Sequence, residues 1–274
     1  MSKPTFILAL DAGHYLATPG KRCLKSLDPG ETREWILNDR VTRFQQERAR
    51  MYDGLIAVRV DDHSGRTETT LAERVALANA IDADFYLSNH HNAGMNGKKG
   101  GGCVAYCSRG STKSPAWRDA LYDAVIAAGG LKGDRRDPKT TADWYVCRNT
   151  KMPAVLMEYG FMDSPDDVPV ILTEEHAKLC GYATIDAIAK KAGLKLRQSP
   201  DSDPVGGVRY KGIADAPEYA RHAIGELMAC GALNGTGSEK GIDLDLDALR
   251  VLTIVMRYAK FLHGLEPEQA ELAE

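Results

Sequence analysis

The chain has 274 residues, 43% hydrophobic and 27% charged, with a formal net charge of −3 at pH 7. That length suits one domain of about 150–200 residues plus a smaller one, with an ordinary globular composition. Charge is close to balanced up to Pro204 (28 basic, 27 acidic) and acidic beyond it (7 and 11), which excludes the electrostatics of nucleic-acid binding, and no apolar run approaches the ~18 residues of a membrane span.

In chain order, MSKPTFILAL has too short an apolar centre for a signal peptide, and no small-residue cleavage site follows. Thr5 to Leu10 reads as strand one, and synthesis in the cytoplasm is expected. Residues 15–30 lack periodicity and form a loop. Glu31 to Met51 reads as a helix anchored by Trp35, Val41 and Phe44, with Glu34 and Asn38 one turn apart on one side. Leu55 to Val60 is strand two. Thr70-Leu71-Ala72-Glu73 is a capping box opening the next helix.

Strand three, beginning at Phe85, runs into His90-His91-Asn92. The glycine- and lysine-rich loop from Gly94 to Gly102 lacks both the Ser or Thr after its lysine and the helix that a phosphate-binding loop needs. Cys103 to Cys107 is a strand, and Ser114-Pro115 opens a helix that reaches Gly129. After a charged loop (130–142), Trp144 to Cys147 reads as a short strand and Pro153 to Met157 as a buried one. Thr173 caps a helix that closes near Gly193. Strands alternating with helices predict an α/β fold: a twisted, mostly parallel sheet sandwiched by helices.

Residues 197–204 have linker composition, so the expected domains are 1–196, a 197–204 linker and 205–274. The last is expected to be a small all-helical unit, with helices from Pro217 to Leu233 and Leu246 to Leu262 around a Gly/Asp-rich turn. The Asp243–Asp247 run lacks the central glycine and closing glutamate of a calcium loop. None of the six cysteines (Cys23, Cys103, Cys107, Cys147, Cys180, Cys230) forms a C-x-x-C pair. They read as buried small hydrophobes in a reducing compartment.

Three apolar strands thus deliver a metal-competent side chain at their carboxyl ends: His14, His90 and Glu158. In open α/β sheets that rim is where ligands bind. Two histidines and a carboxylate with an open fourth position make a catalytic zinc arrangement, in which a nearby glutamate accepts the proton of an activated water.

The chain resembles the zinc-dependent N-acetylmuramoyl-L-alanine amidases of amidase-3 type, found in phage endolysins and bacterial wall-remodelling enzymes. The residues that carry this are DAGH (Asp11 to His14), EWILN (Glu34 to Asn38), LAERVALAN (Leu71 to Asn79), SNHHNA (Ser88 to Ala93) and VLMEYGFMDS (Val155 to Ser164). They occur in the family's order across about residues 5–190. The resemblance implies a phosphorylase/hydrolase-like sheet, Zn²⁺ held by His14, Glu34 and His90, and Glu158 as general base. Glu31 competes for the second ligand, but only Glu34 has Asn four residues on. His91 competes for the third, but the pattern S-x-H-x-N-A selects His90. His91 and Asn92 are then expected to contact substrate. One departure affects the shape of the cleft: Tyr15-Leu16-Ala17 stands where the family pattern continues with paired glycines and an acidic residue.

The implied reaction is cleavage of the amide between the lactyl group of N-acetylmuramic acid and the L-alanine of the peptidoglycan stem. An endolysin released through a holin fits a chain without a leader. The segment YARHAIGELMACGALNGTG resembles an S-layer-homology-like wall-binding unit, with a secondary wall polymer as its expected ligand. The rival readings are a zinc carboxypeptidase or aminopeptidase on a related sheet, and a wall-binding protein without catalysis.

Overall fold

The structure, a computed structural model, describes residues 5–197 together with 210–212, 221, 224 and 241–244. The chain divides into two compact units, Met1–Leu196 and Arg197–Glu274. No helix of the described residues is long and apolar enough to cross a membrane.

The larger unit is built on a six-stranded sheet in the order β2-β1-β3-β6-β4-β5. Its strands are β1 (Phe6–Ala12), β2 (Leu55–Arg59), β3 (Phe85–Asn92), β4 (Val104–Cys107), β5 (Lys139–Thr141) and β6 (Ala154–Phe161). All neighbours pair parallel except β4 and β6. The central strands β1, β3 and β6 read as near-continuous apolar runs because both of their faces are covered.

The side-chain alternation of β3 defines those faces. Phe85 and Leu87 join the main core with Leu8, Leu10, Val155 and Met157. That core packs under α1 (Glu34–Ala49), α3 (Ser114–Ala127) and α6 (Glu174–Lys191). Ser88 points the other way, toward α2 (Leu71–Ala80), where its hydroxyl meets Asp11 and, through it, Arg74. Each fully buried Leu or Phe contributes roughly 1.5–3 kcal/mol, so this core, rather than helix propensity, holds α1 and α6 in place.

Several elements depart from expectation for local reasons. Helix α1 starts at Glu34 rather than Glu31, because Glu31 has φ 48° and Arg33 is extended and bridges to Arg22. Residues 144–147, expected as a strand, form instead the N-cap and start of a short helix, α4 (Tyr145–Asn149). Its end is tied by Asn149 Nδ2 donating to the Tyr145 carbonyl (2.8 Å) and Thr150 Oγ1 to that of Val146 (3.0 Å). Local hydrogen bonding thereby overrides the strand preference of Trp, Tyr and Val. Strand β5 and the one-turn helix α5 (Val168–Ile171) carry no apolar period long enough to read from sequence. The capping box at α2 is formed as expected, with Glu73 N donating to Thr70 Oγ1 at 3.2 Å and Thr70 N to Glu73 Oε2 at 2.7 Å.

In the smaller unit, Tyr210–Gly212 (β7) and Gly241–Leu244 (β8) form a two-stranded antiparallel sheet, so the all-helical expectation is corrected there. Gly-Ile-Asp-Leu alternates apolar and polar residues with the period of a strand. Arg221 and Ile224 are helical; the rest of the two expected helices, and the linker beyond Arg197, lie outside the described residues. Cys230 lies outside them too, and the other five cysteines are free and buried.

Candidate metal centre

His14 follows β1 with φ 67°, a left-handed conformation that costs of order 1 kcal/mol for a residue other than glycine. Arg74 holds this turn from below. Its guanidinium donates to the Asp11 carboxylate (2.5 Å) and to the carbonyls of Ala12 (2.9 Å) and His14 (2.8 Å). Asn38 Nδ2 donates to the Gly13 carbonyl from the α1 side at 3.0 Å.

Gly13 is required by close approach. A Cβ there would lie 2.1 Å from His90 Cε1, so the imidazole rests directly on the backbone. The His14 and His90 rings stand edge to face with centroids 4.9 Å apart. Glu34, the first residue of α1 and only 1% exposed, reaches both. Its Oε1 is 3.0 Å from His90 Nδ1, and its Oε2 is 3.3 Å from His14 Nε2 without hydrogen-bond alignment. One ligand atom from each of the three lies within 4.8 Å of the other two. Lys21 Nζ stands 3.6 Å from Glu34 Oε2.

Glu158 is in register with His90 on the neighbouring strand β6, so both side chains leave the same face of the sheet. It lies inside β6, not past its end as the sequence reading had it. The pairing slips just beyond it: Asn92 opposes Phe161, leaving an extra residue on β6 beside Gly160, whose φ is 155°. Such a bulge bends the strand next to the site and re-aims its side chains.

The electrostatics separate the two glutamates. Burial pushes Glu34 upward, but the His90 hydrogen bond and the charges of the adjacent His14 and His90 outweigh it and hold the carboxyl well below its usual range. Burial, with the charge of Glu34, raises Glu158 to about 8. His90 is raised, since the carboxylates around it overcome its burial, whereas burial lowers His14. Two carboxylates side by side in one buried site, one kept ionised and one raised, form the acid/base pattern of a catalytic centre.

Glu34 Oε2 and Glu158 Oε2 are buried acceptors with no hydrogen-bond donor among the described residues. Orphaned carboxylate oxygens beside two imidazoles are the donor set that zinc takes in catalytic sites, and the residues fit a divalent cation. The triad opens into a cavity of about 360 Å³, lined among others by Lys21, Leu71, Trp144 and Glu158.

His91 is placed elsewhere than expected. It is 3% exposed and faces α1, where its Nδ1 donates to Asn38 Oδ1 at 2.8 Å. Burial drives its pKa down to about 3, so it stays neutral. The expectation that it touches substrate is therefore corrected. It orients Asn38, and its backbone N–H donates to Glu34 Oε1 at 3.2 Å. Asn92 shares the face of His90, and its Oδ1 accepts the N–H of Ala93 at 2.8 Å. The Asp11–Arg74–Ser88 group and Gly13 fall inside the motifs quoted from sequence, where no role was assigned to them. A charged residue inside an apolar strand and an arginine among the apolar positions of α2 were the available signals.

A family model described as N-acetylmuramoyl-L-alanine amidase matches residues 8–190. Among known proteins, an endolysin of Bacillus phage SPP1 is 31% identical over 157 residues, covering 54% of this chain and 57% of that protein. The N-acetylmuramoyl-L-alanine amidase CwlM of Bacillus licheniformis is 34% identical over 122 residues, covering 44% and 42%. The aligned stretch thus spans about half the length of these relatives. Among solved structures, the catalytic domain of CwlV, an N-acetylmuramoyl-L-alanine amidase from Bacillus (Paenibacillus) polymyxa var. colistinus, superposes with a TM-score of 0.62 at 22% identity. That match covers 70% of this chain and all of the other. An N-acetylmuramoyl-L-alanine amidase from Clostridium difficile 630 gives 0.62 at 21% identity, covering 70% and 98%. At these identities the two structures establish a shared fold.

Proposed function

The chain belongs to the N-acetylmuramoyl-L-alanine amidase family, and from that premise we propose that it hydrolyses the amide joining N-acetylmuramic acid to L-alanine in peptidoglycan, using a zinc ion and Glu158. The observation that carries this is the convergence of His14, Glu34 and His90 within 4.8 Å beside a cleft that His14, His90 and Glu158 line.

His14, Glu34 and His90 would hold the ion. When bound, zinc supplies Lewis-acid polarisation of the scissile carbonyl, acidifies water toward a pKa of about 7, and draws down the pKa of a neighbouring carboxyl. Glu158 takes a proton from the attacking water as the carbon–oxygen bond forms. It then gives that proton to the departing nitrogen as the carbon–nitrogen bond breaks. The products are the lactyl carboxylate and a peptide with a free L-alanine amine. Arg74 and Asn38 hold the His14 turn in place during these steps, and His91 N–H keeps the Glu34 carboxylate oriented.

The similarity to a phage endolysin supports a lytic role. In that reading the chain acts on the wall after release from the cell, and residues 205–274 grip a wall polymer. End-group analysis of digested wall tests the bond assignment. New L-alanine amino termini that depend on the metal are expected; new carboxyl-terminal amino acids, or cleavage unaffected by chelation, would make the enzyme a peptidase or metal-independent.

A further inference from the structure

Large apolar side chains on the surface of the larger unit are not scattered evenly around the cleft. Leu71 (51% exposed), Trp144 (47%) and Tyr145 (39%) are three of the six large hydrophobic residues exposed among the described ones, and all three line the cavity that His14, His90 and Glu158 also line. Leu71 opens α2, Trp144 and Tyr145 open α4, and the two helices pack on each other. The three residues therefore come from one continuous wall. Trp144 is also held from one side, its ring edge to face with Tyr106 at a centroid distance of 6.1 Å. An exposed indole fixed in this way offers a flat apolar surface at little further entropic cost. Exposed apolar groups clustered at a site mark a ligand surface.

We propose that Trp144, with Tyr145 and Leu71 beside it, is the sugar-binding wall of the cleft, on which the pyranose ring of the muramyl group stacks while its amide lies at the triad. This rests on the amidase reading above. Charge decides between the two halves of such a substrate. Glu68, just before α2, lines the same cavity and supplies carboxylate acceptors for sugar hydroxyls, and it repels a peptide's carboxylates. The cation Lys21 lies instead beside Glu34, and so suits the peptide half, which ends in a carboxylate. A pyranose, uncharged and carrying C–H bonds on its faces, complements an aromatic surface edged by a carboxylate. The acidic peptide does not.

The test compares the full-length protein with Trp144→Ala and Trp144→Phe on two soluble probes: N-acetylmuramoyl tetrapeptide and the D-lactyl tetrapeptide that lacks the sugar. Affinity is measured by calorimetry on chelator-treated protein and turnover on zinc-loaded protein. For Trp144→Ala, affinity for the muramoyl probe should fall roughly tenfold, the order expected for one aromatic contact. KM should rise in step, with kcat within about twofold. Affinity for the lactyl probe should be unchanged, and Trp144→Phe should restore most of the loss. Equal weakening for both probes would mean that the wall holds peptide, and would overturn the proposal. So would unchanged affinity for both, or a wild-type protein that does not prefer the sugar-bearing probe. Binding that depends on Trp144 without any cleavage would leave the sugar site standing and refute the amidase reading instead.

Discussion

A methyl group on Gly13 would sit 2.1 Å from one atom of the His90 ring and 2.2 Å from another. Gly13→Ala should therefore displace that imidazole and lose bound zinc, measured by metal analysis, while the far-ultraviolet circular dichroism stays native. Beneath it, Asp11 and Arg74 form an ion pair with both side chains buried. Removing one partner strands the other charge, so Arg74→Met should cost about 3–5 kcal/mol in denaturant unfolding. The same pair predicts a pH dependence. Burial raises Asp11, but the Arg74 charge and the Ser88 hydroxyl outweigh it, leaving its pKa below the ordinary value. A carboxyl depressed in the folded state stabilises the protein above its unfolded pKa of about 3.9. That stabilisation fades as the pH falls through the lower, folded value. The melting temperature should drop more steeply below pH 4 for wild type than for Asp11→Asn. At this scale the candidates His14, Glu34, His90 and Glu158 were legible in the sequence, because each ends or caps an apolar run or falls within a recognisable motif. The structure gathers the first three, with Glu158 lining the same cleft. The sequence misled at His91, whose identity as a second imidazole beside His90 says nothing about which face it takes until strand alternation and the packing of α1 decide.

Helices and strands were legible wherever a long apolar period met a specific start or stop. The Thr70–Glu73 reciprocal cap is one such signal, and Thr70→Ala should lower stability by about 1 kcal/mol without altering zinc content, read by thermal melts alongside metal analysis. Short elements were not legible. Trp144–Cys147 has strand-forming residues, yet forms the N-cap and first turn of a helix whose end is secured by Asn149 and Thr150. The three-residue β5 exists because β4 presents an edge to pair with, a fact held by the tertiary structure and not by KTT itself. The helix start at 144–147 bears on the cleft as well as on the fold. As a helix start, that segment turns Trp144 and Tyr145 into the cleft.

Across the whole molecule, the candidate site is an outcome of topology. Parallel strands β1, β3 and β6 lie side by side although their residues are separated by more than 60 positions, and this adjacency brings residues 14, 90 and 158 to one rim while α1 swings Glu34 in from behind. Each strand crossover is long, so the site forms only when the sheet is complete. No local segment carries all three proposed ligands. Metal stoichiometry, with activity recorded on the same samples, tests this most directly. Wild type and Glu158→Gln should each carry one zinc per chain, with Glu158→Gln about 10²–10⁴-fold slower on muropeptide, and His90→Ala should carry none. Full zinc in His90→Ala, or undiminished turnover in Glu158→Gln, would contradict the account.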